Sequence, residues 1–137
     1  MMNAATRQAR EMFEQSVLTA SPARLVVMLY DRLMLDLSRA ERAQEGEDWA
    51  IARENLLHAQ AIVAELQSSL DTETWDGGPG LFALYTYVSA AMVTANIHRD
   101  VAATRESIRL LGPLRDAWSE AAQQTTATEP QWSRVDV

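Results

Sequence analysis

The stretch from residue 19 to residue 37, TASPARLVVMLYDRLMLDL, places the strongest constraint on the fold. Ser21 and Pro22 predict the start of a helix, because a Ser at the N-cap accepts a hydrogen bond from a free amide and a Pro at the first helical position loses none. The segment that follows, Leu25 to Tyr30, is an unbroken run of six apolar residues. We predict a main helix from Pro22 to about Gln44.

This helix has apolar residues on more than one face. At about 100° per residue, one face is suited to a core. It comprises Val26, Leu29, Tyr30, Leu33, Leu37 and Ala40. Met28 and Leu35 lie roughly opposite this face, one heptad apart, and Val27 and Met34 widen the apolar stripe towards them. Such a helix is either central in its domain or has a second surface that a partner covers.

Composition limits the function classes. A chain of 137 residues with net charge −7 is expected to form one domain that does not bind nucleic acid or an anionic membrane through a basic surface. It has no Cys, hence no disulfide and no thiolate site. We find no secretory signal, and no run that approaches the ~20 apolar residues of a membrane span, so no stable membrane insertion is expected.

Three further helices are predicted from apolar residues at spacings of three and four. They run from Trp49 to about Leu70, from Leu81 to about Ile97 and from Val101 to about Gln124, and the last is expected to continue through Pro113 with a kink. Asp48 and Asp100 are expected to cap two of these helices. Gly46 and the segment DTETWDGGPG at 71–80 are expected to interrupt the helical structure.

The fold class is therefore all-α. Because the predicted links are short, we expect an antiparallel up-and-down four-helix bundle with an extra short N-terminal helix. The expected domain organisation is an N-terminal cap segment at 1–18, a helical bundle at 19–124 and a flexible tail at 125–137.

No catalytic, metal or cofactor site is predicted. Di-iron bundles use Glu-x-x-His pairs, but Asn55 precedes His58 and Ala95 precedes His98 at that spacing. A phosphotransfer bundle with His58 as the acceptor is an alternative, although a solvent-exposed histidine that forms an ordinary surface pair with Glu54 is the simpler interpretation. We do not expect an enzyme.

Four blocks in this order resemble the flagellar secretion chaperone family FliS. They are SVLTASPARLVVMLYDRLM at 16–34, ARENLLHAQAIVAEL at 52–66, LFALYTYV at 81–88 with ANIHRDV at 95–101, and LRDAWSEA at 114–121. Together they extend over about residues 16–121, and the first and third blocks are the distinctive ones.

The resemblance implies a cytoplasmic export chaperone. Such a protein binds the C-terminal segment of flagellin, prevents its premature polymerisation and delivers it to the flagellar type III export apparatus. The bound segment wraps the bundle, and the chaperone's own N-terminal segment can occupy part of the same groove. We assign the flagellin groove to Leu25, Met28, Leu35, Leu57 and Tyr87, and the N-terminal cap to Met12, Phe13 and Val17.

Two interpretations of the second apolar face of the main helix stay open. Met28 and Leu35 either bind the partner or lie permanently under the N-terminal helix. The rival function is a self-associating helical adaptor or structural bundle without flagellin specificity, and a homodimer is compatible with either function.

Overall fold

The structure, a computed structural model, describes residues 22–70 and 77–128, with side chains described as far as residue 124. In this part of the chain it contains four helices and no strand: α1 (Pro22–Glu45), α2 (Trp49–Ser68), α3 (Gly78–Ile97) and α4 (Val101–Thr128). The all-helical prediction is confirmed. The predicted N-terminal helix and its cap residues Met12, Phe13 and Val17 lie outside the described residues.

Two helix boundaries differ from the prediction by three or more residues. α3 begins at Gly78, three residues earlier than expected, because Pro79 lies in its first turn, where the missing N–H of proline costs no hydrogen bond. α4 continues through Pro113, as predicted, but extends to Thr128 instead of ending near Gln124. No proline or glycine interrupts the sequence between Gln124 and Thr128.

Both predicted aspartate caps are confirmed. The backbone N–H of Ile51 donates to Oδ1 of Asp48 (3.3 Å), and the backbone N–H of Ala102 donates to Oδ1 of Asp100 (3.0 Å). Each carboxylate therefore satisfies an amide that the first turn of its helix leaves free.

The turns before these aspartates have the same backbone design. At the end of α1, the N–H of Asp48 donates to the carbonyl of Ala43 (2.8 Å) and that of Glu47 to the carbonyl of Gln44 (3.1 Å), which is a Schellman motif. The left-handed residue is Glu47 (φ 56°), not the adjacent glycine, and Arg99 (φ 52°) takes the equivalent place between α3 and α4. Gly46 follows the last residue of α1 as expected, but its conformation does not require glycine.

The four helices pack in a ring around one core. α1 contacts α2 and α4, and α3 also contacts α2 and α4, so α1 and α3 lie diagonally across the ring. The predicted core faces are confirmed, with Val26, Leu29, Ile108, Leu114 and Trp118 partly buried at the edge of the core. The buried centre includes Tyr30, Leu33, Leu37, Leu56, Ala59, Val63, Leu81, Tyr85, Val88, Met92 and Leu111.

Ion pairs connect α1 to α4 at two levels. Arg105 near the start of α4 pairs with Glu41 (2.9 Å) and Glu45 (2.8 Å) near the end of α1. Ten residues later, Arg115 pairs with Asp31 (2.7 Å), nearer the start of α1. Residue numbers thus rise along α4 as they fall along α1.

Two tyrosine hydroxyls meet inside the core. Tyr30 on α1 and Tyr85 on α3 are almost fully buried, and their hydroxyl oxygens are 2.5 Å apart. Trp118 on α4 packs against the same core. Burial raises the pKa of both tyrosines above the ordinary value, because a phenolate loses its hydration there. The pair joins the two diagonal helices through the centre of the ring.

Candidate functional site

α3 has an unusual surface. None of its 20 residues has a charged side chain, although one face of the helix is exposed and only the other packs against the core. Its sequence is GPGLFALYTYVSAAMVTANI. By length and composition alone α3 is apolar enough to cross a membrane, whereas the sequence analysis expected no segment of this kind. Since the core helix of a soluble protein meets the same criteria, this is weak evidence for a membrane span.

Three large apolar side chains lie on one exposed face of α3. Phe82, Val93 and Ile97 are 44%, 42% and 70% exposed, and their spacing places them within about 60° around the helix axis. This face borders α2, because the Gln67 side chain donates to the carbonyl of Phe82 (3.3 Å) and to the hydroxyl of Thr86 (2.8 Å). We call Phe82, Val93 and Ile97 the α3 stripe.

The sequence analysis did not assign the α3 stripe to the groove. Phe82 and Ile97 lie within blocks that carry the family resemblance, yet neither was selected. The available signal was the absence of charge over the whole helix, since a surface helix ordinarily carries polar residues on its outer face. The apolar spacing of α3 was used to predict only the face that packs against the core.

The five predicted groove residues lie on three helices. Leu35, Leu57 and Tyr87 are 41%, 44% and 53% exposed. Leu25 and Met28 are half-buried. Their accessibility is compatible with partner binding and leaves their assignment a prediction.

These residues do not form a single patch. Leu35 is on α1 and Tyr87 is on α3, and these two helices are diagonal in the ring. The Tyr87 hydroxyl donates to Oε1 of Glu106 on α4 (2.5 Å), which holds its ring on the side of α3 that faces α4. A straight segment cannot contact both Leu35 and Tyr87, so a partner that used both would have to wrap around the bundle.

An apolar groove of about 480 Å³ lies where the start of α3 meets the later half of α4. Leu81 and Leu84 line one side, and Leu114 and Trp118 line the other. The small residues Gly77, Gly80, Ala117 and Ala121 leave it open. Trp118 therefore contributes both to the edge of the core and to this groove.

His58 has a partner that the sequence analysis missed. Its Nδ1 hydrogen-bonds to Oδ2 of Asp36, a fully buried carboxylate on α1, and the Arg32 side chain donates to Oδ1 of Asp36 (3.1 Å). The prediction that His58 is a surface histidine is therefore incomplete: it is half-exposed and joins α2 to α1. Within residues 22–70 and 77–128, no group of three or more His, Cys, Asp and Glu residues could hold a metal ion.

The arrangement defines a class of protein before any comparison is made. It is a helical protein with apolar side chains exposed on several outer faces, and such surfaces gain free energy when a polypeptide partner covers them.

Comparison with known proteins identifies the family. The family model described as flagellar protein FliS matches residues 2–125. The chain is 34% identical over 110 residues to the flagellar secretion chaperone FliS of Bacillus subtilis, covering 80% of this chain and 82% of the relative. It is also 34% identical over 110 residues to that of Escherichia coli, covering 79% and 81%. This chain belongs to the FliS family, which is a family of chaperones and not of enzymes.

A solved structure shares the fold. The crystal structure of a bacterial flagellar chaperone superimposes with a TM-score of 0.69, at 21% sequence identity, and covers 85% of this chain and 98% of that one. The four helices described here thus adopt a flagellar chaperone fold, and the homologues support a role in flagellar export.

Proposed function

We propose that this protein binds the C-terminal segment of flagellin in the cytoplasm, prevents its premature polymerisation and delivers it to the flagellar type III export apparatus. The observation that carries this proposal is the exposure of large apolar side chains on the outer faces of three helices. The names of the curated relatives, flagellar secretion chaperones, support the export role.

A large contact surface fits a client that is disordered before assembly. Such a segment must be ordered when it binds, and this entropy cost is met only if it buries apolar area at many points. The α3 stripe, together with Met28 and Leu35 on the diagonal helix, offers such points on opposite sides of the molecule. We infer that the client wraps the bundle in an extended form with helical portions.

The proposed scaffold is an antiparallel up-and-down four-helix bundle. The ion pairs of Arg105 and Arg115 support this topology for α1 and α4. The turns that connect α1 to α2 and α3 to α4 are too short for either pair of helices to run parallel.

The binding surface can be tested with a labelled peptide of the flagellin C-terminal segment. Replacing Phe82 and Val93 with Asp should weaken binding at least about tenfold, or about 1.4 kcal/mol, because charges must then be desolvated against an apolar client. Replacing Met28 and Leu35 with Asp should act similarly. For the exposed Phe82 and Val93, circular dichroism should stay near that of the wild type, since changes at exposed positions usually alter stability by about 0.5 kcal/mol or less. Because Met28 is half-buried, thermal melting of the second variant checks that its fold is kept.

A matched control adds the same charge to another face. Ala102 and Gln123 are exposed on α4, and replacing both with Asp should leave the affinity unchanged. If the control, the Phe82 and Val93 variant, and the Met28 and Leu35 variant all bind the peptide equally well, these two surfaces are not the binding site. If wild-type protein does not bind the peptide at all, the flagellin proposal itself is wrong.

Self-association is the rival function for the same surfaces. It predicts that light scattering detects an oligomer whose mass rises with concentration and is unaffected by the flagellin peptide. If flagellin binding is correct, the peptide should instead yield a complex with one client per chaperone at the concentrations that saturate binding.

A further inference from the structure

A second pocket, unlike the apolar groove, lies at the end of the bundle where α1 joins α2 and α3 joins α4. It has a volume of about 220 Å³. Its floor is formed by the buried residues Ala52, Leu56 and Ala95, and its rim carries Arg53 and Arg99. Gln44, Trp49, Asn96 and Ile97 complete the lining.

The pocket is positive in an acidic protein. The whole chain has 19 acidic and 12 basic residues, yet no Asp or Glu lines this pocket. Glu45 and Glu54 adjoin the lining residues Gln44 and Arg53 in the sequence but do not line the pocket, and the carboxylates of Asp48 and Asp100 accept amides in the first turns of α2 and α4. Within the lining of the pocket, no carboxylate stands beside the guanidinium groups of the rim.

Both guanidinium groups have free hydrogen-bonding capacity. Across residues 22–70 and 77–128, neither Arg53 nor Arg99 forms an ion pair, whereas Arg32, Arg105 and Arg115 do. An arginine fork that is held in place and unpaired suits the planar, bidentate geometry of a carboxylate.

Local structure fixes the position of one of the two arginines. The guanidinium carbon of Arg99 lies 4.9 Å from the centroid of the Trp49 ring, which is a cation–π contact between the two turns. The backbone of Arg99 is fixed by the bond from the Asp100 N–H to the Ala95 carbonyl (3.0 Å). Holding the side chain in advance lowers the entropy cost of binding an anion.

The floor is equally well fixed. The Gln44 side chain donates to the carbonyl of Ala95 (3.2 Å) and accepts a hydrogen bond from the Thr104 hydroxyl (2.6 Å). All these partners belong to the bundle itself, so the pocket does not need a ligand to form.

We propose that this pocket binds an acidic side chain of the bound polypeptide, with Arg53 and Arg99 as its carboxylate receptors. This inference rests on the proposed function and adds a polar anchor to an otherwise apolar surface. Ile97 belongs both to the pocket and to the α3 stripe, so a segment that lies along α2 and α3 reaches the pocket without a break. The anchor fixes the position of the client along the stripe, which apolar contacts alone do not do.

The first test uses two peptides of the flagellin C-terminal segment, one native and one with every Asp and Glu replaced by Asn and Gln. The double variant Arg53→Gln, Arg99→Gln should bind the native peptide about tenfold more weakly than the wild type, as expected for loss of a hydrogen-bonded charge pair. It should bind the neutral peptide no more weakly than the wild type does.

The matched control is Arg39→Gln, Arg42→Gln, which removes the same charge from exposed arginines outside the pocket. Thermal melting of each variant checks that the fold is kept. The assignment is overturned if the pocket variant and the control variant lose the same affinity for the native peptide. It is also overturned if the pocket variant loses as much affinity for the neutral peptide as for the native one. Failure of the wild type to bind either peptide would instead count against the flagellin proposal.

The second test does not depend on flagellin. Glutarate, a dicarboxylate, is titrated at constant ionic strength while the indole N–H signal of Trp49 is followed by NMR. A saturable shift that the double variant loses, and that uncharged glutaramide does not produce, supports the pocket. No saturable shift overturns it. Inorganic phosphate binding more tightly than glutarate would also overturn the assignment to a peptide carboxylate.

Discussion

The buried hydroxyls of Tyr30 and Tyr85 are expected to make this protein less stable at alkaline pH. Burial raises the pKa of both groups, so the folded state favours the neutral phenol more than the unfolded chain does. For a raised folded pKa, the contribution to stability is complete below the unfolded value of about 10 and is lost as pH rises above it. The chain contains no lysine and no cysteine, and Tyr87 is the third tyrosine, whose pKa is raised by its hydrogen bond to Glu106.

We therefore expect the free energy of unfolding to fall above pH ~10 by up to about 1.4 kcal/mol per pH unit for each buried tyrosine. Urea unfolding at several pH values measures this slope. The variant Tyr30→Phe, Tyr85→Phe should lose most of it, whereas Tyr87→Phe, at the exposed tyrosine, should lose only the smaller part that comes from the bond to Glu106. A slope unchanged in the double variant would contradict the assignment.

Burial could be predicted residue by residue, but pairing between helices could not. Periodicity alone identified Tyr30, Leu33 and Leu37 as core residues, because each helix face follows from about 100° per residue. The bond between Asp36 and His58 depends on how α1 and α2 are rotated against each other, which no pattern within either helix specifies. The same limit explains why the predicted groove residues were found on separate faces.

At the scale of helices and turns, two left-handed residues offer a matched comparison. Glu47→Gly should stabilise the protein by about 1 kcal/mol, because glycine adopts a positive φ without the steric cost of a Cβ atom. Arg99→Gly should gain less, since it removes a cation–π contact with Trp49 worth about 0.5–1 kcal/mol.

Urea midpoints measure both changes, and Glu47→Ala, which removes the charge but keeps Cβ, should gain little. An equal gain at both turns would mean that the contact between Arg99 and Trp49 contributes nothing. No gain from Glu47→Gly would mean that the left-handed backbone is not strained.

The direction of α4 relative to α1 can be tested by cross-linking, which the absence of native cysteine makes unambiguous. Cysteine pairs at Glu41 with Arg105, and at Asp31 with Arg115, should be joined by a short bifunctional thiol reagent, because these side chains are in contact. The mismatched pair, Asp31 with Arg105, should not be joined. Efficient cross-linking of the mismatched pair alone would contradict the proposed antiparallel topology.

At the scale of the whole molecule, the N-terminal segment remains a predicted competitor for the client. Its residues Met12, Phe13 and Val17 lie outside the described part of the chain. Deleting residues 1–17 should leave the helicity of the bundle intact and the flagellin affinity equal or higher, because a competing occupant raises the apparent dissociation constant. Circular dichroism measures the helicity, and peptide titration measures the affinity. A large loss of helicity beyond the deleted residues, or a large loss of affinity, would mean that this segment is an integral part of the fold.

The diagonal positions of α1 and α3 also bear on how a client leaves. A wrapped segment would contact separate surfaces, each of which holds only part of the binding free energy, and the bound parts keep the detached part at a high local concentration. Dissociation in one step would then be slow, whereas a receptor that pulls on one end could peel the segment away one contact at a time. The ring of helices would thus allow a client to be bound tightly and still to dissociate through a series of low barriers, although the total free energy of dissociation is the same by either route.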